Sequence, residues 1–303
     1  MSLLGRLVLM ITGWGPVRRM FTSGRWGRRV AMRFVAGETL DEAVAVARDL
    51  NAQGFLVSLD LLGEHVTDAA LASQSAADYG VCLDRIQAEG LDANISVKLT
   101  QLGLGLDDGV AGRFLGELAT RAAAAGTTVT VDMEESALTE VTLDLYCRAQ
   151  AEHGNLGLAL QAALRRTPAD LARVLALGGH IRLCKGAYDE PAEVALRRRD
   201  QVTAAYASLL AELMACEGVR PAVATHDSAL VARARELARR RQQPFEFQML
   251  YGIRFSLQAE LVAAGFPVRV YLPYGVAWYP YLTRRLAERP SNVWFFARAF
   301  FGH

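Results

Sequence analysis

From residue 54 onward the chain alternates between two rhythms. Short apolar runs, rich in β-branched and aromatic residues, cover 55–59, 95–99, 128–131, 156–160, 181–184, 222–224, 245–248 and 268–272. Their length and character predict strands. Between them lie longer segments rich in alanine, leucine and arginine, such as 112–125 and 201–216, where apolar residues return every three or four positions. That period predicts helices. A further helix is predicted over 39–53, with Ala43, Val46, Ala47 and Leu50 on one face. The last strand stops at Pro273; helical periodicity resumes near Trp278 and ends before Pro290.

Strand then helix, about eight times in about 250 residues, is the pattern of a (β/α)8 TIM-like barrel. The alternative is an open doubly wound sheet, which normally carries a glycine-rich fingerprint after its first strand. Here that place reads Asp60-Leu61-Leu62-Gly63-Glu64, without the glycine spacing. The expected α/β architecture is a barrel over 36–303 with a C-terminal helix, preceded by an N-terminal helical arm over 1–35. The arm interleaves Trp14, Phe21 and Trp26 with five arginines between positions 18 and 29. It suits a helical cap packed on the domain, or an amphipathic segment at a membrane surface.

Composition narrows the class. At 303 residues and 52% hydrophobic, the chain can fill a barrel-sized core. A net charge of +1 gives no electrostatic reason for nucleic-acid binding. Cys82, Cys147, Cys184 and Cys216 are scattered without a CxxC, which fits a reducing cytoplasmic setting and no zinc or other metal site. No apolar run is long enough to span a bilayer, and the short LVLMI run near the N-terminus lacks the flanks of a signal peptide. Positive charge is nearly all arginine; Lys98 and Lys185 are the only lysines.

Barrels place their chemistry at the C-terminal ends of the strands. The first strand is followed by Asp60 and Glu64, the second by Lys98, the third by Asp132 and the fourth by Gln161. The fifth brings Arg182, Lys185 and Tyr188; the sixth Thr225, His226 and Asp227; the seventh Gln248; the eighth Tyr271. Taken singly, Asp132 suits a helix cap and His226 a core histidine. Taken together, with both lysines among them, they predict a functional site. On the last helix Tyr281, Arg284, Arg285 and Glu288 stand at i, i+3, i+4 and i+7, on one face. Paired guanidinium forks beside a tyrosine suit a carboxylate, although the same spacing fits a solvated face with an intrahelical Arg–Glu pair.

The run YLPYG at 271–275 followed by WYPYLTRRLAERPSN at 278–292 resembles the C-terminal signature of the proline dehydrogenase family. SVKL at 96–99, VDMEES at 131–136, RLCKGAY at 182–188, THD at 225–227 and EFQML at 246–250 resemble its other blocks, in order. The likeness covers about 55–292. It implies a flavoenzyme on a distorted barrel that oxidises L-proline to Δ1-pyrroline-5-carboxylate with non-covalent FAD. By position, Met133, Gln161, Arg182, Lys185, Gly186 and Ala187 match the family's FAD contacts. So do Thr225, His226, Gln248 and Glu288. Lys98, Asp132, Leu250, Tyr271, Tyr281, Arg284 and Arg285 match its substrate-binding residues. Asp132 and Arg182 are the expected catalytic pair, and Glu64 with Arg284 an expected gate over the substrate.

Two departures stand out. Ala163 lies where an aromatic is expected, which implies a looser flavin pocket there. No second catalytic domain of the bifunctional relatives is found, which implies a monofunctional enzyme working beside a separate pyrroline-5-carboxylate dehydrogenase. The family also implies a quinone acceptor, hence peripheral contact at the inner face of the membrane; the aromatic tail at 294–301 suits such contact, but suits packing on the barrel or an oligomer contact at least as well. Two rival classes remain open on the residues alone. Lys98 or Lys185 could form a Schiff base in an aldolase-type barrel, or the barrel could be a non-enzymatic scaffold.

Overall fold

The structure, a computed structural model, describes residues 31–288, with side chains through residue 283. Helix α1 (Leu40–Ala52) comes first, started by a capping box in which Thr39 and Glu42 exchange hydrogen bonds. Then follow β1 (Leu56–Leu61), α2 (Ala69–Glu89), β2 (Ala93–Val97), α3 (Asp108–Ala124), β3 (Val129–Val131) and α4 (Thr139–His153). The second half runs β4 (Leu156–Gln161), α5 (Thr167–Leu175), β5 (Gly179–Cys184), α6 (Arg199–Ala215), β6 (Val219–Ala224) and α7 (Ser228–Ala238). It ends with β7 (Glu246–Leu250), α8 (Phe255–Ala263), β8 (Val268–Tyr274) and α9 (Trp278–Glu288). The strands form a closed parallel barrel in sequence order, β8 pairing β1 from Leu56↔Arg269 to Leu61↔Tyr274. This is the expected (β/α)8 barrel rather than the open sheet.

Alternation along the strands decides what lies on each side of the barrel wall. Val57, Leu59, Ile95, Val97, Val129, Val131, Leu158, Leu160, Ile181 and Leu183 are buried in the hydrophobic core, with apolar positions of α2, α3 and α4. Each such side chain contributes about 1.5–3 kcal/mol. The other set along the same strands is polar: Ser58, Asp60, Asn94, Ser96, Thr130, Asp132, His180, Arg182, Glu246, Gln248, Arg269 and Tyr271. Apart from Ser58, whose Oγ has no partner among the described residues, and Asp60, which pairs with Lys98, these bond to one another inside the barrel. Where many barrels stack branched apolar residues along their axis, this one holds a column of hydrogen bonds.

Strand β8 continues through Pro273, where the sequence suggested a stop. Its pairing with β7 ends at Leu250↔Tyr271, so the N–H that proline lacks has no ladder partner there. The Pro273 carbonyl accepts instead from Ala36 N–H at 2.8 Å, and Gly275 N–H donates to Gly37 O at 2.9 Å. The segment around 31–37 thus docks on the C-terminal mouth. There a second, smaller apolar cluster joins Ala31, Phe34, Val35 and Leu62 to Trp278, Tyr279, Tyr281 and Leu282 of α9. The last helix therefore packs with the 31–35 segment and β1's exit loop. Residues 1–30 of the expected arm, and the aromatic tail, lie outside the described residues.

Gly252, in the β7–α8 loop, sits under that segment at φ +72°, and a Cβ there would overlap the Arg33 carbonyl. Gly265 has a similar φ of +81° but open space around it. Gly265→Ala should therefore cost only the left-handed strain, about 1–2 kcal/mol. Gly252→Ala should cost more, about 3–4 kcal/mol, by also lifting the 31–37 segment. Urea denaturation of both variants checks the ordering.

Candidate active site

A cavity of about 550 Å³ opens at the C-terminal end of the barrel. Every strand-end residue singled out above lines it: Asp60, Glu64, Lys98, Asp132, Gln161, Arg182, Lys185, Tyr188, Thr225, His226, Asp227, Gln248 and Tyr271. Met133, Gly186, Ala187, Leu250 and Tyr281 line it too, with Ala277 and Pro280 beside α9. Arg284, Arg285 and Glu288 belong to α9, but their side chains lie outside the described residues. So does one half of the expected Glu64–Arg284 pair.

Asp132, at the exit of β3, is the hub, and it caps no helix. Its Oδ1 accepts from Ser96 Oγ at 2.7 Å and from Arg182 Nη1. Its Oδ2 accepts from the Tyr271 hydroxyl at 2.7 Å and lies 3.7 Å from Lys98 Nζ. Burial alone would raise its pKa, but Arg182 first and Lys98 second outweigh burial and hold the carboxyl below its ordinary value. Asp60 differs. Burial raises it above the ordinary range despite Lys98 Nζ at 2.9 Å, and the Asp132 charge adds to the rise. Lys98 would lose its proton through burial, yet Asp60 and Asp132 together keep it cationic. A lysine so held is a poor nucleophile, which argues against a Schiff base at this position.

Arg182 is 5% exposed. Its Nε donates to Gln248 Oε1 at 2.5 Å and its Nη1 to Ser96 Oγ at 2.9 Å as well as to Asp132. Its guanidinium carbon lies 5.2 Å from the centre of the Tyr271 ring. Its Nη2 is buried without a hydrogen-bond partner among the described residues.

The β4–β7 side of the cavity is built differently. Lys185 Nζ donates to Asp227 Oδ2 at 2.8 Å and Thr203 Oγ1 at 3.0 Å. Asp227 Oδ1 meanwhile accepts from Ala229 and Leu230 N–H, so one carboxylate starts α7 and tethers the lysine. His226 Nε2 accepts from Leu250 N–H at 3.2 Å, which leaves the ring proton on Nδ1. Gln161 Nε2 donates to Glu134 O at 2.7 Å. Gly186 has φ +111°, and a Cβ there would crowd Gln161 Oε1 and the Ala163 methyl, each at 3.1 Å. Ala163 thus packs beneath the 185–187 turn. The cavity divides into an anionic–cationic cluster on β1–β3 and β8 and a looser polar arc on β4–β7, joined at Arg182.

Ser96 received no role from the sequence. It stands two residues before Lys98 on the same strand face, and the strand period would have found it.

Asp132 is depressed below 3.8, so its stabilising share is complete above the ordinary carboxylate range. It is lost as pH falls through the folded value. Asp60 is raised, so its share runs the other way and relieves the fold on protonation. Between about pH 5 and pH 2 the wild-type chain should lose stability, and Asp132→Asn should lose less over that span. Urea midpoints at stepped pH values measure this; parallel curves would contradict it.

The description "Proline dehydrogenase" belongs to a family model that matches residues 43–298. Proline dehydrogenase 1 of Bacillus subtilis (strain 168) is 38% identical over 274 residues, 89% of this chain and 90% of its own. The proline dehydrogenase of Deinococcus radiodurans is 35% identical over 304 residues, 97% of this chain and 96% of its own. Among solved structures, the barrel superposes on proline utilization A from Bdellovibrio bacteriovorus with a TM-score of 0.84 at 23% identity. It spans 99% of this chain but 38% of that much longer one, so that likeness speaks for the fold. A family match over most of the length, together with relatives matched nearly end to end, shows that the chain belongs to the proline dehydrogenase family, enzymes of proline oxidation and catabolism.

Proposed function

We propose that the chain oxidises L-proline to Δ1-pyrroline-5-carboxylate with non-covalently bound FAD and hands the electrons to a quinone-type acceptor. The observation that carries the flavin part is Arg182 Nη2, a buried cationic donor without a partner among the described residues, on the wall of the cavity. A buried N–H left unpaired costs about 1–3 kcal/mol, and an acceptor atom of a bound ligand removes that cost. Gly186 lets the 185–187 turn pack closely on Gln161 and Ala163, and all of that turn lines the cavity. The residues present fit a flavin.

In this reading Met133, Gln161, Lys185, Gly186, Ala187, Thr225, His226 and Gln248 hold the cofactor, and Glu288, three residues after Arg285, is a further cofactor residue. Bound FAD would supply the hydride acceptor for the substrate carbon next to nitrogen, and the proton lost from nitrogen would go to solvent. The chain's own residues do the rest. Lys98, held cationic by Asp60 and Asp132, attracts the substrate carboxylate and does not serve as a base. Arg284 and Arg285 follow Tyr281 by three and four residues on α9 and supply planar forks for the same carboxylate. Tyr271, Leu250 and Tyr281 cover the apolar ring carbons. Arg182 favours negative charge developing beside it, and Asp132 keeps it aimed. Glu64, at the cavity wall, is the residue to pair with Arg284 over the bound substrate. The product leaves for a separate pyrroline-5-carboxylate dehydrogenase. The acceptor brings the chain to the membrane from the cytoplasm as a peripheral visitor; no helix among the described residues is long and apolar enough to cross one.

The purified protein should be yellow, and acid or heat should release FAD into the supernatant. A colourless protein that fails to take up added FAD would sink the reading. Arg285→Ala should keep its flavin and lose about 10- to 150-fold in kcat/KM, the worth of one charge-assisted hydrogen bond of about 1.5–3 kcal/mol. Arg285→Lys should recover part of that loss, because it keeps the charge without the fork. If Arg285→Ala loses FAD while keeping its affinity for proline, the arginine belongs to the cofactor site instead.

A further inference from the structure

We propose that Glu246, at the opposite end of β7 from the cavity, is a positioning residue for Arg182. It acts through the side-chain amide of Gln248. The proposal rests on the reading above that Arg182 serves the flavin-dependent reaction.

Glu246 and Gln248 are two residues apart on β7 and share its inner face. Glu246 is 0% exposed. Arg269, on neighbouring β8, grips both its oxygens, Nε to Oε1 at 2.7 Å and Nη2 to Oε2 at 3.2 Å. Arg269 is fixed in turn by the Val57 carbonyl at 2.8 Å. Arg220 Nη2 reaches Oε2 at 3.2 Å, and His180 Nε2 lies 3.4 Å from Oε1. Burial would protonate such a carboxyl, but the Arg269 charge outweighs it and holds Glu246 ionised; burial also lowers the His180 pKa, so that ring is not counted as a second cation.

An ionised carboxylate has no proton to donate, so it only accepts. Gln248 must therefore turn its amide N–H toward Glu246, and does so at 2.7 Å from Nε2 to Oε1. The other end of the amide is then a carbonyl, and it receives Arg182 Nε at 2.5 Å. A flipped amide would set its carbonyl against the Glu246 charge and its N–H against the Arg182 N–H. Both contacts would be repulsive. The charge on Glu246 thus selects one of two amide orientations, and that orientation supplies the acceptor for Arg182 Nε. With Nε so occupied, and Nη1 held by Ser96 and Asp132, the guanidinium plane is fixed and Nη2 is the edge left over. Glu246 makes no hydrogen bond to Arg182 and does not itself line the cavity; it meets both through Gln248.

Glu246→Gln removes the obligation, since its new amide can donate or accept. A role confined to stapling β7 to β8 predicts lower melting temperature with normal chemistry per folded molecule. The positioning role predicts more. In nitrogen-15 spectra of the full-length chain, the Arg182 Nε–H should exchange with solvent slowly in the wild type. In Glu246→Gln it should exchange at least about tenfold faster, one lost hydrogen bond's worth of protection. In flavin-loaded protein, kcat should fall about 10- to 100-fold, as expected for a misaimed group, while KM for proline stays within about twofold. Gln248→Met keeps the Glu246–Arg269 pair and deletes the relay together with the Gln248 contact to the cofactor, so, read by Arg182 exchange in flavin-free protein, it should reproduce the faster exchange even if Glu246→Gln folds poorly. Adding Glu246→Gln to Gln248→Met should then change Arg182 exchange no further. Unchanged exchange at Arg182 in Glu246→Gln or in Gln248→Met overturns the proposal whether or not flavin binds. Failure of the wild type to bind FAD overturns the functional reading instead and leaves the exchange result to decide the positioning role.

Discussion

A guanidinium buried inside a barrel is tolerable only when its charge is compensated, and the Arg182–Asp132 pair meets that demand here, with Nη2 alone left without a partner among the described residues. Removing one partner of such a pair leaves an uncompensated charge, at a typical cost of about 3–5 kcal/mol. The neighbours reduce the strain further. Ser96 Oγ donates to Asp132 and accepts from Arg182, so a single hydroxyl closes a triangle between them. Tyr271 supplies a phenolic proton to the other carboxylate oxygen and a ring face to the guanidinium. Burial pushes that phenol's pKa up, aided by the nearby carboxylates, so it remains a donor at any ordinary pH.

From that pair, constraints spread along the barrel axis. Toward the mouth, the charge on Asp132 helps keep Lys98 protonated and disfavours a second anion on Asp60. Toward the floor, Gln248 links the pair to Glu246 and Arg269. The apolar outer faces of the same strands anchor this column against the helices, so polar residues inside and leucines outside are two halves of one period-two pattern.

That pattern explains what the sequence disclosed and what it withheld. Segment type and order followed from periodicity, and the site face followed from strand direction, which is why the strand-end residues meet in one cavity. Stepping back by two from Lys98, Asp132, Arg182, Gln248 and Tyr271 reaches Ser96, Thr130, His180, Glu246 and Arg269, polar residues that all proved to lie along the barrel's inside. The column was thus written in the chain, but its partners were not. Tyr271 and Asp132 bond across 139 positions, and no local rule pairs residues that far apart. Pro273 misled for a related reason: whether a strand tolerates proline depends on where its neighbour ends.

The smaller apolar cluster carries a consequence for how the molecule is made. It binds Ala31, Phe34 and Val35 to Trp278, Tyr281 and Leu282, so it cannot form until the chain through residue 282 has left the ribosome. The eight strands gain their contacts from near neighbours in sequence, apart from the β8–β1 seam, which waits as well. Residues 31–35 therefore wait for their α9 partners until late in synthesis. Closing so long a loop costs little more entropy than closing a medium one, because the penalty grows only logarithmically with length. The final assembly step is then late in time without being steep in free energy, and it shuts one side of the cavity last.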